Sequence, residues 1–172
     1  MKLYLTVTFL IISLTSFSQS TETFQLDWKK QKEWKQKSHQ EQSQNYLTEY
    51  LKKDETFENW KELIAIQRIS APGVMKVPLE NLMNMGFSEF KKNAPDATLT
   101  LLEKNEDGNN PWIEYKSEAP GFNNDPNPES QFFHVVKTEN AIFLIWWATK
   151  EAKISDENIK LFQEFFRSGK IK

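Results

Sequence analysis

The chain has 172 residues, with 22 Lys and Arg against 24 Asp and Glu, no Cys, two His, 13 Phe, 6 Trp and 4 Tyr. A net charge of −2 excludes a chain-wide basic field for nucleic acid. The lack of cysteine excludes disulfides, thiolate zinc sites and a cysteine nucleophile, while the aromatic content supplies one folded core despite 27% charged residues.

Met1-Lys2, the largely apolar run 3–14 and the small residues Ser16 and Ser18 form the n-region, h-region and small-x-small site of a secretory signal. Cleavage is expected between Ser18 and Gln19. A membrane span needs about 20 apolar residues, and this run is shorter and interrupted by Thr6, Thr8 and Ser13. The expected product is therefore exported, periplasmic or extracellular, and without a stable membrane anchor after cleavage. Residues 1–18 are read as signal peptide, 19–33 as a loose polar leader and 34–172 as a single α+β domain.

Residues 28–37 carry five Lys and one Glu together with Trp28 and Trp34, a pattern open to helix or solvent-facing edge strand. In 45–53, Tyr46, Thr48 and Tyr50 alternate with Leu47, Glu49 and Leu51, which predicts a strand. After the polar connection 54–59, residues 60–69 are apolar on both parities and belong inside a sheet. Ala71-Pro72-Gly73 breaks that pattern. Leu79, Leu82, Met83, Phe87 and Phe90 then recur at helical spacing, from Pro78 to a stop at Ala94-Pro95.

Residues 97–103 and 112–116 read as strands joined by a surface turn, and 119–128 is a loop broken by three prolines. Two more strands, 132–137 and 141–149, flank a short hairpin; the run from Ile142 to Trp147 is apolar enough for a central strand. The last helix starts at the N-cap Ser155, presents Ile159, Phe162 and Phe166, and ends near Gly169. The sum is an α+β fold: a mostly antiparallel sheet of about six or seven strands flanked by two helices.

The run Thr56-Phe57-Glu58-Asn59-Trp60-Lys61-Glu62-Leu63 resembles a Thr-x-Glu-Asn-Trp-x-Glu-Leu motif of small exported bacterial proteins of unassigned function. With the aromatic penultimate strand and the C-terminal helix, the order of elements also resembles the PsbP-like fold, an antiparallel sheet flanked by helices. The resemblance implies a first strand over 34–39 pairing with 45–53. It carries no catalytic residues, and fold does not carry function.

Chemistry-bearing candidates are few. His39 and His134 are 95 positions apart, and His134 shares strand parity with Phe132 and Val136. A catalytic base needs a nucleophile and an orienting carboxylate beside it, for which Ser130 and Asp125 are the candidates. The loop 123–129 alternates oxygen-bearing side chains but lacks the glycine and distal Glu of a calcium loop, so no metal is expected there, and no cofactor motif is present. Trp60, His134 and Trp147 are the candidate ligand-binding residues, and no catalytic residue is named. The function expected is a non-catalytic binding or accessory protein of the cell envelope, with a protein partner or small ligand and no nucleic acid. The alternative is a small envelope hydrolase using His134 and carboxylates. Intact mass of the exported product should match residues 19–172; a chain beginning at Met1 in the membrane pellet would overturn the cleavage assignment.

Overall fold

A computed structural model describes residues 22–28 and 31–172. The signal segment with Ser18 and Gln19, and the Lys29-Lys30 pair, lie outside the described residues.

The chain lays down two antiparallel meanders that meet in the middle of one sheet. The first consists of β2 (Trp34–Gln42), β3 (Asn45–Lys52) and β4 (Glu62–Ile69). Helices α1 (Pro72–Met75) and α2 (Leu79–Asn93) then carry the chain to the far edge. From there β5 (Thr98–Asn105), β6 (Trp112–Ala119), β7 (Glu129–Lys137) and β8 (Ile142–Thr149) return strand by strand until β8 pairs with β4. The sheet order is β2-β3-β4-β8-β7-β6-β5, with every neighbouring pair antiparallel. Helix α3 (Asp156–Arg167) follows, and a separate two-stranded ladder joins β1 (Phe24–Gln25) to β9 (Lys170–Ile171).

This placement accounts for the apolar runs. Strand β8 is the fourth of seven and is covered on both faces. On one face Phe143, Ile145 and Trp147 join Ile64, Ile66 and Phe132 against Ile159, Phe162, Phe165 and Phe166 of α3. The Trp147 and Phe162 rings stack at 4.2 Å, and those of Phe132 and Phe166 at 5.7 Å. Each fully buried phenylalanine here contributes about 2 kcal/mol of apolar burial. The opposite face divides in two. Met83, with Val74, Leu79 and Leu82, covers Ile113, Tyr115, Val135 and Ile142. Leu47, Leu51, Leu63, Ala65, Trp146 and Ala148 form a neighbouring cluster whose partly buried companions are Trp60, Phe133 and Leu144, so no described helix enters it.

Lys35, Gln36 and Lys37 lie exposed on the edge strand β2, with a bulge between Gln36 and Ser38. Lysines and a bulge blunt an edge against pairing with another chain, which explains a lysine-rich strand with little apolar alternation. Its partner is β3, as the family resemblance implied.

Four features depart from the expectation. The leader is not loose over 24–28: Phe24 and Leu26 are buried in the α3 core, Trp28 packs on Tyr50 at 4.4 Å, and Thr23 and Lys172 exchange backbone hydrogen bonds. The ordered domain thus begins before residue 34, because a two-residue strand is too short to show a period. A four-residue helix occupies Pro72–Met75, with Pro72 in its first turn. The strands that flank the proline-broken loop are longer than expected, since β6 extends to Ala119 and β7 starts at Glu129.

Gly169 is the fourth departure. Ser168 closes α3 in the right-handed region, and Gly169 is not left-handed. It is needed for space: a Cβ there would meet the Phe24 ring at 2.4 Å and the Phe166 carbonyl oxygen at 3.0 Å. The expected N-cap is present, with Ser155 Oγ accepting from the Asn158 amide at 3.2 Å.

Gly169→Ala should destabilise the protein by about 1–3 kcal/mol through this overlap. Gly86→Ala, in an exposed helical position with nothing within 4 Å of the new Cβ, should stabilise it by up to about 1 kcal/mol. Urea midpoints measure both, and equal shifts of one sign would contradict the packing described.

Candidate functional site

Two regions bring chemistry-bearing side chains together, one on each face of the sheet. Glu114 on β6 and His134 on β7 are directly opposed in the ladder and point towards α3. Glu114 is 0% exposed and His134 4%. Glu114 Oε1 accepts from His134 Nδ1 at 2.9 Å and from Arg167 Nε at 2.8 Å; Oε2 accepts from Gln163 Nε2 at 2.9 Å and from Arg167 Nη2. The Arg167 guanidinium, anchored also to Glu103, lies 4.6 Å over the Trp112 ring. Trp112 and Phe24 flank the imidazole at 5.7 and 6.5 Å.

Burial alone pushes the Glu114 carboxyl up, since removing a carboxylate from water disfavours its charge. Hydrogen bonds from His134, Arg167 and Gln163 outweigh that and hold it below the ordinary carboxylate range. The same pairing raises Arg167. An ionised Glu114 accepts, so His134 donates through Nδ1 and keeps Nε2 as an acceptor when neutral.

A carboxylate-oriented histidine is half of a nucleophilic machine, and the other half is not in place among the described residues. Ser130, on the same strand and face, is four residues away, roughly 13 Å along the strand; its fully buried Oγ has no hydrogen-bond partner among the described residues. Asp125 Oδ1 accepts from the Asn127 backbone at 2.9 Å and side chain at 2.7 Å, while Asn123 caps the end of α2 through Lys92 and Asn93. The oxygen-rich loop is thus occupied with its own turn and with helix capping.

The second region lies across the other face. Tyr115, Phe133 and Trp146, on β6, β7 and β8, form a row of stacked rings with centroids 4.6 and 6.0 Å apart. Trp60, at the entrance to β4, packs on the cluster beside this row, with Lys150 Nζ 3.9 Å from its ring centre. Lys150 also pairs with Glu129 at 2.6 Å, and Glu129 accepts from Gln131 at 2.8 Å. Between α1, α2 and the sheet, where Tyr115 ends the row, lies a cavity of about 140 Å³ with a mostly hydrocarbon lining.

The three candidate ligand residues are therefore not one site. Trp60 lies beside the aromatic row, whereas His134 and Trp147 lie on the α3 face. Trp147 is a core residue, 1% exposed, stacked on Phe162 and donating from Nε1 to Glu62 at 3.2 Å. His39 is exposed, with Nδ1 2.7 Å from Thr48 Oγ1. Sequence reasoning missed Glu114, Gln163, Arg167, Tyr115 and Phe133. The one available signal was Glu114 at the parity of Trp112, a charged residue beside a large apolar one in a strand. In the Thr56–Asn59 part of the motif, Asn59 Oδ1 accepts from the Thr56 amide at 2.7 Å and closes the turn that presents Trp60.

Comparison with protein-family models and with curated proteins finds no match for this sequence. Among the described residues no helix is long and apolar enough to cross a membrane.

Glu114→Gln should cost about 2–3 kcal/mol, less than a fully enclosed pair because Arg167 is 37% exposed on its side chain. A depressed carboxyl stabilises the fold fully above its ordinary value of 4.5, and that contribution is lost as pH falls through the lower folded value. The wild type should therefore lose stability on acidification below about pH 4.5, and Glu114→Gln should show a flatter acid limb. Urea midpoints from pH 3 to 7 measure both, and parallel limbs would contradict the assignment.

Proposed function

We propose that this chain is an exported, single-domain binding or accessory protein of the cell envelope, without a catalytic centre of its own. The observation that carries this reading is the aromatic row Tyr115–Phe133–Trp146, which runs into an apolar cavity on a face whose β3–β4–β8 cluster receives no described helix. Rows of aromatic side chains leading to an apolar recess are how proteins hold ligands with few polar groups. Export is supported by the n-region, h-region and cleavage pattern ahead of Gln19. Kinship with the PsbP-like fold is part of the same proposal, supported by the order of elements and the late aromatic strand before a C-terminal helix.

A hydrolase built on His134 is the second reading, and one observation favours it: the carboxylate at 2.9 Å. Against it stand the complete use of Glu114 by Arg167 and Gln163 and the flanking of the imidazole by two aromatic rings.

Native mass spectrometry of the tagged chain, purified gently from its own host's envelope fraction, tests the two readings together. The expected result is added mass that survives purification, with no ester, peptide or glycoside hydrolysis. A bare chain of residues 19–172 with a hydrolytic activity lost in His134→Asn would overturn the binding reading.

A further inference from the structure

Protein interiors pack like organic crystals and leave few voids larger than one water. The cavity beneath α1 and α2, about 140 Å³, exceeds that and matches the size of apolar cavities that stay dry and accept benzene-sized guests. Val74, Leu82 and Met83 line it from the helices, and Ile142 and Leu144 from the central strand. Among the described residues of the lining, Tyr115 supplies the only polar side-chain group. Tyr115 is 6% exposed.

Each property narrows the occupant. Water is a poor one, because an ordered water needs two to four polar partners and the lining side chains offer a single hydroxyl. A charged ligand is a poor one, because no lining residue carries a countercharge and the desolvation cost would stand uncompensated. Burial pushes the Tyr115 phenol well above its ordinary value, so it stays protonated and donates.

We propose that this cavity is a ligand site for a small uncharged apolar group, an aromatic ring or short hydrocarbon chain of about benzene's size, bearing one hydrogen-bond acceptor for the Tyr115 hydroxyl. This deepens the binding reading above and rests on it. Hydrocarbon contacts supply the affinity and the hydroxyl selects the acceptor. Tyr115 also links the site to the stacked row, since its ring lies against Phe133, which lies against Trp146.

The test is a titration of the mature chain, labelled with ¹³C at Leu, Val, Ile and Met methyls, with anisole and with toluene. These probes share a ring and differ in one ether oxygen. Saturable shifts are expected at the methyls of Val74, Leu82 and Met83, with anisole binding about threefold to tenfold tighter than toluene, the worth of one hydrogen bond. In Tyr115→Phe the ratio should fall to about one while toluene binding persists. Leu82→Trp, which fills the recess and whose folding is checked on the amide spectrum, should lose both probes. Non-saturating shifts, saturable shifts centred away from the helices, or binding that survives Leu82→Trp would each overturn the proposal.

The two proposals fail separately. Added mass on the native protein together with no probe binding would remove the cavity and leave the binding reading. Saturable probe binding with a bare native chain and His134-dependent hydrolysis would remove the binding reading and leave the cavity as a guest site.

Discussion

The pairing of β4 with β8 is the constraint on which the other contacts depend, because it joins two meanders made from opposite ends of the chain. Glu62 faces Thr149 at one end of this seam and Ile69 faces Ile142 at the other. A slip of one residue would exchange Phe143, Ile145 and Trp147 with Trp146 and Ala148 between faces. The α3 helix would then meet a different set of side chains, and the stack of Trp147 on Phe162 would be lost. Register is strongly specified here because both faces of β8 are buried and neither alternative set would fit the shape of the other.

The polar cluster around Glu114 follows from that arrangement. Once α3 lies across the sheet, its last turn brings Gln163 and Arg167 over β6 and β7. A carboxylate there is out of water, so it needs donors for both oxygens, and four arrive from three residues. Breaking one member leaves the others buried with unmet charge, which makes such clusters sensitive to mutation without making them catalytic. The terminal ladder completes this end of the molecule. Phe24 covers the imidazole, and Gly169 leaves the space that Phe24 fills. The stretch 24–28, read as part of a polar leader, is thereby part of the core.

The two faces of the sheet differ in how they are closed. The α3 face is sealed by a helix with four buried aromatic and aliphatic residues facing inward. The other is covered by α2 over β6 and β7, while its remaining cluster consists of strand residues and Trp60. Helix α2 buries only Met83 fully, so its packing is looser and leaves an apolar recess. The aromatic row spans β8, β7 and β6 and ends at that recess.

Local chemistry alone determined most of the elements: the alternation of β3, the double-sided apolar runs of β4 and β8, the stripe of α2 and the Ser155 cap are properties of neighbouring residues. The α+β class with a mostly antiparallel sheet followed from their order, whereas the residues of 28–37 left helix and edge strand open, and the pairing of 34–39 with 45–53 was implied only by the resemblance. Tertiary structure alone decided which strands met, and hence that His134 faces Glu114 across a ladder and not Ser130 or Asp125. It also decided that Trp60 and Trp147, both read as ligand candidates, stand on opposite faces of the sheet. The short strand at Phe24–Gln25 and the role of Gly169 were equally hidden, because two residues carry no period and a steric fit between chain ends leaves no mark in either. Periodicity reports which face of an element is apolar; what covers that face, and what space is left over, depends on residues far away in the chain.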